Sequence, residues 1–155
     1  MRTGLAFRNV DASPGDPVET WPFEAVVAAV ERGFLPDWRR LARAIAADPW
    51  GPVAGAVDDA VRLSHPYGTT ELFHAVIARA HHNAVEVERR EVAAEIGQLV
   101  ARSGLSRQAF ATRIGTSASR LSTYLSGKVM PSAALMVRMC RVASDFVNVD
   151  ARTPD

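Results

Sequence analysis

The sequence predicts an all-α fold, and three observations carry that prediction. Apolar residues recur at spacings of three and four in successive blocks, no segment alternates apolar and polar residues over the length of a strand, and prolines and glycines fall between the blocks. Residues 1–19 hold Gly4, Pro14, Gly15 and Pro17 without sustained periodicity, and are expected to form a flexible arm or loop. Thr20 is placed to cap a first helix with Pro22 in its first turn, Phe23, Val26, Val27 and Val30 on its inner face, and Gly33 at its end. Asp37 is placed to cap a second, with Trp38, Leu41, Ala42 and Ile45 inward and Arg39, Arg40 and Arg43 outward. That helix stops before Pro49, because the residue preceding a proline disfavours the α conformation.

Pro52 opens a third helix with Val53, Val57, Val61 and Leu63 on one stripe, and His65-Pro66-Tyr67-Gly68 reads as a turn. Thr69 or Thr70 then caps a fourth pattern, whose stripe runs through Phe73, Val76, Ile77, Ala80, Ala84 and Val87 with no proline or glycine until Gly97. One long helix over residues 70–102, or two helices broken near Asn83 or Arg90, would satisfy this pattern equally. The expected organisation is a helical domain over residues 20–90, a second domain over 91–145, and a tail over 146–155.

Composition narrows the classes. With 48% hydrophobic and 23% charged residues, the chain is an ordinary globular protein and not a disordered or fibrous one. No run of eighteen apolar residues suits a membrane span, and the first sixteen residues lack the apolar core of a secretory signal, so a cytoplasmic protein is expected. The single cysteine, Cys140, excludes an intrachain disulfide and a cysteine-rich zinc cluster, and it reads as a small buried hydrophobe. His74 and His81 share a helix face, but neither has an acid four residues on or a cysteine nearby, so no metal or other cofactor is expected. The adjacent pair Asp58-Asp59 is no catalytic dyad, because neighbouring helix positions point about 100° apart. No glycine-rich phosphate loop and no Ser-His-Asp or Cys-His arrangement is present, so no enzymatic activity is expected. Trp21, Trp38 and Trp50 lie at helix ends and are expected to pack in the core.

The formal net charge of +1 hides an asymmetry. Residues 1–95 carry 10 basic and 14 acidic side chains, whereas residues 96–142 carry seven basic ones (Arg102, Arg107, Arg113, Arg120, Lys128, Arg138, Arg141) and no acid. A long one-signed segment is the electrostatic footprint of a surface that meets a polyanion.

The same segment holds a mechanical motif. Ser106 is placed to cap a short helix with Phe110 and Ile114 inward, Gly115 to end it and allow a tight turn, and Ser117 to cap a second helix with Leu121, Tyr124 and Leu125 inward. Gly127 closes that second helix. Its other face presents Ala118, Ser119, Arg120 and Thr123, side chains small or polar enough for close approach to base edges in a major groove.

In these residues the sequence resembles the Xre family, the phage repressor and Cro type of helix-turn-helix protein. The resemblance rests on Leu105-Ser106, Ala109, Ala111, Ile114-Gly115, Ser117, Ser119, Leu121-Ser122 and Ser126-Gly127-Lys128. Val92, Ile96, Leu99 and Val100 stand in the family's first helix, and Leu135, Met136, Met139 and Val142 in its last. Residues 23–63 are similar to the leading segment of small actinobacterial Xre-type proteins. The resemblance implies a lambda-repressor-like domain acting on double-stranded DNA. Ser106 and Lys128 would then meet the phosphate backbone and Arg107 a phosphate or a base. Ala118, Ser119 and Thr123 would face bases, with Arg120 reading guanine and Ser117, the cap of that helix, also counted among the DNA-binding residues. Ala118 departs from the glutamine frequent in the family and cannot make a bidentate adenine contact. A homodimeric, sequence-specific transcriptional repressor is therefore expected, its N-terminal domain dimerising or binding a protein partner. The alternative is an antitoxin-like protein that blocks a partner through its N-terminal domain and represses its own promoter.

Overall fold

The computed structural model describes residues 4–150, with side chains through Asp145. Among the described residues there are seven α-helices, one 3₁₀ turn (Val18–Thr20) and no strand. The helices are α1 (Phe23–Arg32), α2 (Leu35–Ala47), α3 (Pro52–Ser64), α4 (Thr69–Arg102), α5 (Arg107–Ile114), α6 (Ala118–Leu125) and α7 (Ala133–Asp150). The chain divides into two compact units, Met1–Ala84 and Val85–Asp155, each with its own core. The all-α expectation holds, and α4 is one helix in which the division between the units falls.

In the first unit α1 packs chiefly against α3, and Val26, Val30, Leu41, Ile45, Val57, Val61 and Phe73 are fully buried. Trp38 closes this core in two ways. Its ring meets Phe73 edge-on, with centroids 6.4 Å apart, and its indole N–H donates to the carbonyl of Ala29 at 2.9 Å, which lets a polar atom be buried at little cost. The helix starts differ from the sequence reading. Pro22, not Thr20, is the N-cap of α1, and Thr20 lies in the 3₁₀ turn with its hydroxyl on the carbonyl of Pro17. Phe34 is the N-cap of α2, and Asp37 sits three residues inside, where its carboxylate accepts the Phe34 N–H at 3.0 Å. Pro36 explains this, since its fixed φ suits the first turn of a helix, placing Asp37 within that turn.

Residues 4–17 form no regular element, yet they are anchored. Leu5, Phe7, Val10 and Ala12 pack on the first core, and Phe7 meets Trp21 edge-on at 5.1 Å. Arg40, expected to face solvent, donates to the carbonyls of Pro14 and Asp16 and lies 5.0 Å from the centre of the Trp21 ring. Phe23, expected on the inner face of α1, is exposed, and three other positions differ from the sequence reading. Leu63 is exposed, because two residues beyond the buried Val61 the helix has turned by about 200° and its side chain faces outward. Val87 is half exposed, so the apolar stripe of α4 lapses between Ala80 and Val92. Trp50 is exposed as well, but not idle: it stacks on His81 at 3.8 Å, and His81 Nε2 lies 2.8 Å from the carbonyl of Pro49.

The second unit takes Val92, Ile96, Leu99 and Val100 from α4 and packs them with Phe110, Ala111, Ile114, Leu121, Tyr124, Leu135, Met139 and Val142. Cys140 is exposed, contrary to the sequence reading. Met139 takes the inward position, and one residue along a helix rotates the side chain by about 100°. Residues 146–150, expected to be tail, continue α7, because no helix breaker interrupts the sequence after Ala133 until Pro154. Residues 151–155 lie outside the described residues. Among the described residues no helix is long and apolar enough to cross a membrane, and no group of three histidine, cysteine or acidic side chains could hold a metal ion.

Candidate nucleic-acid interface

The site is built on two eight-residue helices whose ends are fixed by local chemistry. Before α5, the buried Ser103 hydroxyl donates to the carbonyl of Val100 at 2.7 Å and accepts the Leu105 N–H at 3.2 Å, pinning the turn out of α4. Ser106 then caps α5 by accepting the Ala109 N–H at 3.2 Å, and Ser117 caps α6 by accepting the Arg120 N–H at 3.1 Å. Such caps typically contribute about 1 kcal/mol each. Both hydroxyls act as acceptors in the caps, so their own protons stay available for an oxyanion at the helix N-terminus.

Gly115 makes the turn between the helices. Its φ of 77° lies in the left-handed region, and a Cβ there would come within 3.0 Å of an Arg138 nitrogen. Gly115→Ala is therefore expected to destabilise the domain by about 1–2 kcal/mol. Chemical denaturation followed by far-UV circular dichroism would measure it, and an unchanged midpoint would refute the strained-turn account.

With Leu121 and Tyr124 buried, α6 turns its opposite side outward. Ser119, Arg120 and Ser122 are exposed, and Ala118 and Thr123 are half-buried. Ser119 and Thr123 are four apart and share a face. The Thr123 hydroxyl donates to the carbonyl of Arg120 at 2.7 Å, so it presents an acceptor and a methyl group outward, not a donor. Ser122 was not among the expected contacts; its exposure follows from its position about 60° from Ser119 around the helix, on the side away from the core.

The cations are not equivalent. Arg102 pairs with Glu95 at 2.9 Å and Arg113 with Asp145 at 3.9 Å, so acids flanking the acid-free segment fold back onto two of its seven bases. Arg120 Nε donates to the hydroxyl of Tyr124 at 2.9 Å, and this bond raises the guanidinium pKa further above its ordinary value. Arg138 donates to the carbonyl of Ile114 at 2.8 Å. Arg107 and Lys128 are exposed at the start of α5 and just after α6. The Lys128 backbone is fixed at both ends of its peptide units: its N–H bonds the carbonyl of Thr123 at 3.1 Å, and its carbonyl accepts from Arg89 at 3.3 Å. Ser106, Arg107, Ser117, Ala118, Ser119, Thr123 and Lys128 thus all belong to the α5–α6 pair or its immediate ends, while the Arg120 side chain turns along its own helix toward Tyr124.

Two short helices joined by a glycine turn, braced by α7 and the end of α4, with the second presenting small polar groups outward, define a helix-turn-helix DNA-binding region. Consistent with that geometry, residues 91–143 match the family model described as a helix-turn-helix domain, about a third of the chain. No curated protein and no solved structure matches the chain significantly.

Proposed function

We propose that this protein is a sequence-specific transcriptional regulator of the Xre type, which binds duplex DNA as a homodimer and represses from a pseudo-palindromic operator. The observation that carries the reading is the outward face of α6, where Ala118, Ser119 and Thr123 offer side chains short enough to let the helix enter a major groove. In this reading Ser106, Arg107, Ser117 and Lys128 hold the backbone phosphates on either side. A single module of this size makes few base contacts, and pairing two on half-sites one helical turn apart supplies the missing affinity. Such a protein works in the cytoplasm on the nucleoid.

The test is recovery of genomic fragments bound by the purified protein. A shared inverted-repeat motif supports the proposal. Binding that is sequence-blind and lost with salt would overturn the regulator reading, and absence of binding would overturn the DNA reading altogether. On the recovered site, Lys128→Ala should weaken binding to specific and shuffled duplexes alike and lower the salt slope by about one, as loss of a phosphate contact does. Anisotropy titrations at several salt concentrations would show it; a loss confined to the specific duplex would assign Lys128 to base reading instead.

A second reading is favoured by Phe34 and Leu35, adjacent and more than half exposed at the start of α2. In it the first unit binds a protein partner in the manner of an antitoxin, while the second represses the promoter. A small toxin-like gene beside this one would support that reading, and a lone, unpaired gene would count against it.

A further inference from the structure

We infer that the cleft between the α5–α6 turn, α6 and the first turn of α7 is a phosphate seat for the DNA backbone, gripped by Arg120 and Arg138, so that Arg120 holds backbone and does not read a base. The inference rests on the DNA-binding reading above and assigns a site completed by Arg138, which lies outside the sequence motif.

The cleft is an open cavity of about 610 Å³ lined by Gly115, Thr116, Arg120, Tyr124, Ser132 and Arg138, among other residues, and no carboxylate lines it. Two like charges therefore share one cavity with no neutralising acid, an arrangement that invites an anion. Both guanidinium groups are held in place before any ligand arrives, one by the Tyr124 hydroxyl and the other by the carbonyl of Ile114. Each bond occupies one of five donors, which leaves the remaining N–H groups of each fork for the non-bridging oxygens of a phosphodiester. The Thr116 side chain is half-buried at the cleft, and the Ser132 hydroxyl accepts the Leu135 N–H at 3.2 Å, so its proton points elsewhere than into the α7 cap.

Gly115 supplies an independent observation. A Cβ at this position would come within 3.0 Å of Arg138 Nη1, so the glycine that makes the turn also leaves Arg138 the room to reach it. The Tyr124 bond draws Arg120 toward this cleft and away from Ser119 and Thr123, four-apart neighbours on the outward face of α6.

The experiment titrates the full chain against two labelled duplexes, the recovered operator and a shuffled version, at several salt concentrations. Arg138→Gln and Arg120→Gln are each expected to weaken both duplexes about tenfold, to leave the ratio between them unchanged and to lower the salt slope by about one. Arg138→Lys, which keeps the charge, should recover most of the slope. Thr116→Glu keeps every hydrogen bond described for the turn but puts a carboxylate in the cleft, and it should weaken both duplexes at least as much while the far-UV spectrum stays unchanged. If Arg120→Gln changes the ratio between duplexes, Arg120 reads a base and the inference fails. If Arg138→Gln and Thr116→Glu leave affinity and slope as they were while the wild type still binds, the seat is overturned and the DNA reading survives. A third arm uses inorganic phosphate against chloride at matched ionic strength. Thermal stabilisation of the wild type but not of Arg138→Gln, with DNA affinity unaffected, would show a site for a free oxyanion and overturn the backbone assignment. A wild-type chain that binds neither duplex overturns both readings.

Discussion

Replacing Ser119 with aspartate will lower operator affinity by about 100-fold or more while leaving the thermal unfolding of the chain unchanged, because a like charge set against the DNA costs several kcal/mol and every 1.4 kcal/mol is tenfold. Ser119 is exposed, on the side of α6 opposite Leu121 and Tyr124, and its hydroxyl makes no hydrogen bond among the described residues. The substitution therefore removes nothing from the fold. Near the N-terminus of α6 a carboxylate is even favourable to the helix, since it opposes the positive end of the helix dipole. Stability and binding should separate cleanly. Gel-shift or anisotropy measurements beside a melting curve would check this, and full binding by Ser119→Asp would mean that the outer face of α6 does not approach DNA.

The second large effect acts through packing. Phe110 is fully buried at the centre of the second core, among Ile96, Ile114, Leu121 and Met139. Phe110→Ala is expected to cost about 3–5 kcal/mol, from lost transfer energy and the cavity left behind. Small domains are stable by only about 5–15 kcal/mol, so the helix-turn-helix unit should lose much of its stability and its DNA binding together. The three tryptophans, Trp21, Trp38 and Trp50, all belong to the first unit, whereas Tyr124 belongs to the second. Tryptophan fluorescence of Phe110→Ala should thus report an intact first unit while far-UV circular dichroism loses helix. Simultaneous loss of both signals would contradict two separately cored units.

The parts of the fold that local chemistry decides were readable in the sequence. Ser106 and Ser117 cap because a serine oxygen reaches the amide three residues on, and Gly115 turns the chain because only glycine takes a left-handed backbone without penalty. What depends on tertiary contact was not readable. Arg40 is identical in local pattern to Arg39 and Arg43, and the loop carbonyls of Pro14 and Asp16 and the ring of Trp21 distinguish it. Cys140 and Met139 are both apolar neighbours, and which one faces the core depends on the phase of α7 to within one residue. Asp37 was displaced from its expected capping position by a preceding proline that begins the helix earlier.

The candidate site shows the same division. Its caps and its exposed face follow from helix geometry, so Ser106, Ser117, Ser119 and Thr123 were accessible to sequence reasoning. Arg138 was visible only as one of seven bases, because its approach to Ile114 spans 24 residues of chain and no spacing rule reaches that far. The acid-free segment also overstated the free positive charge, since Glu95 and Asp145, just outside its ends, return to pair with Arg102 and Arg113.

The central claim, that the α5–α6 pair is the surface that meets DNA, is tested most directly by mapping amide chemical shifts of the full chain as an operator duplex is added. The account predicts the largest changes at Ser106, Arg107, Ala118, Ser119, Thr123 and Lys128. Changes confined to residues 4–84, or none on saturation with duplex, would contradict it.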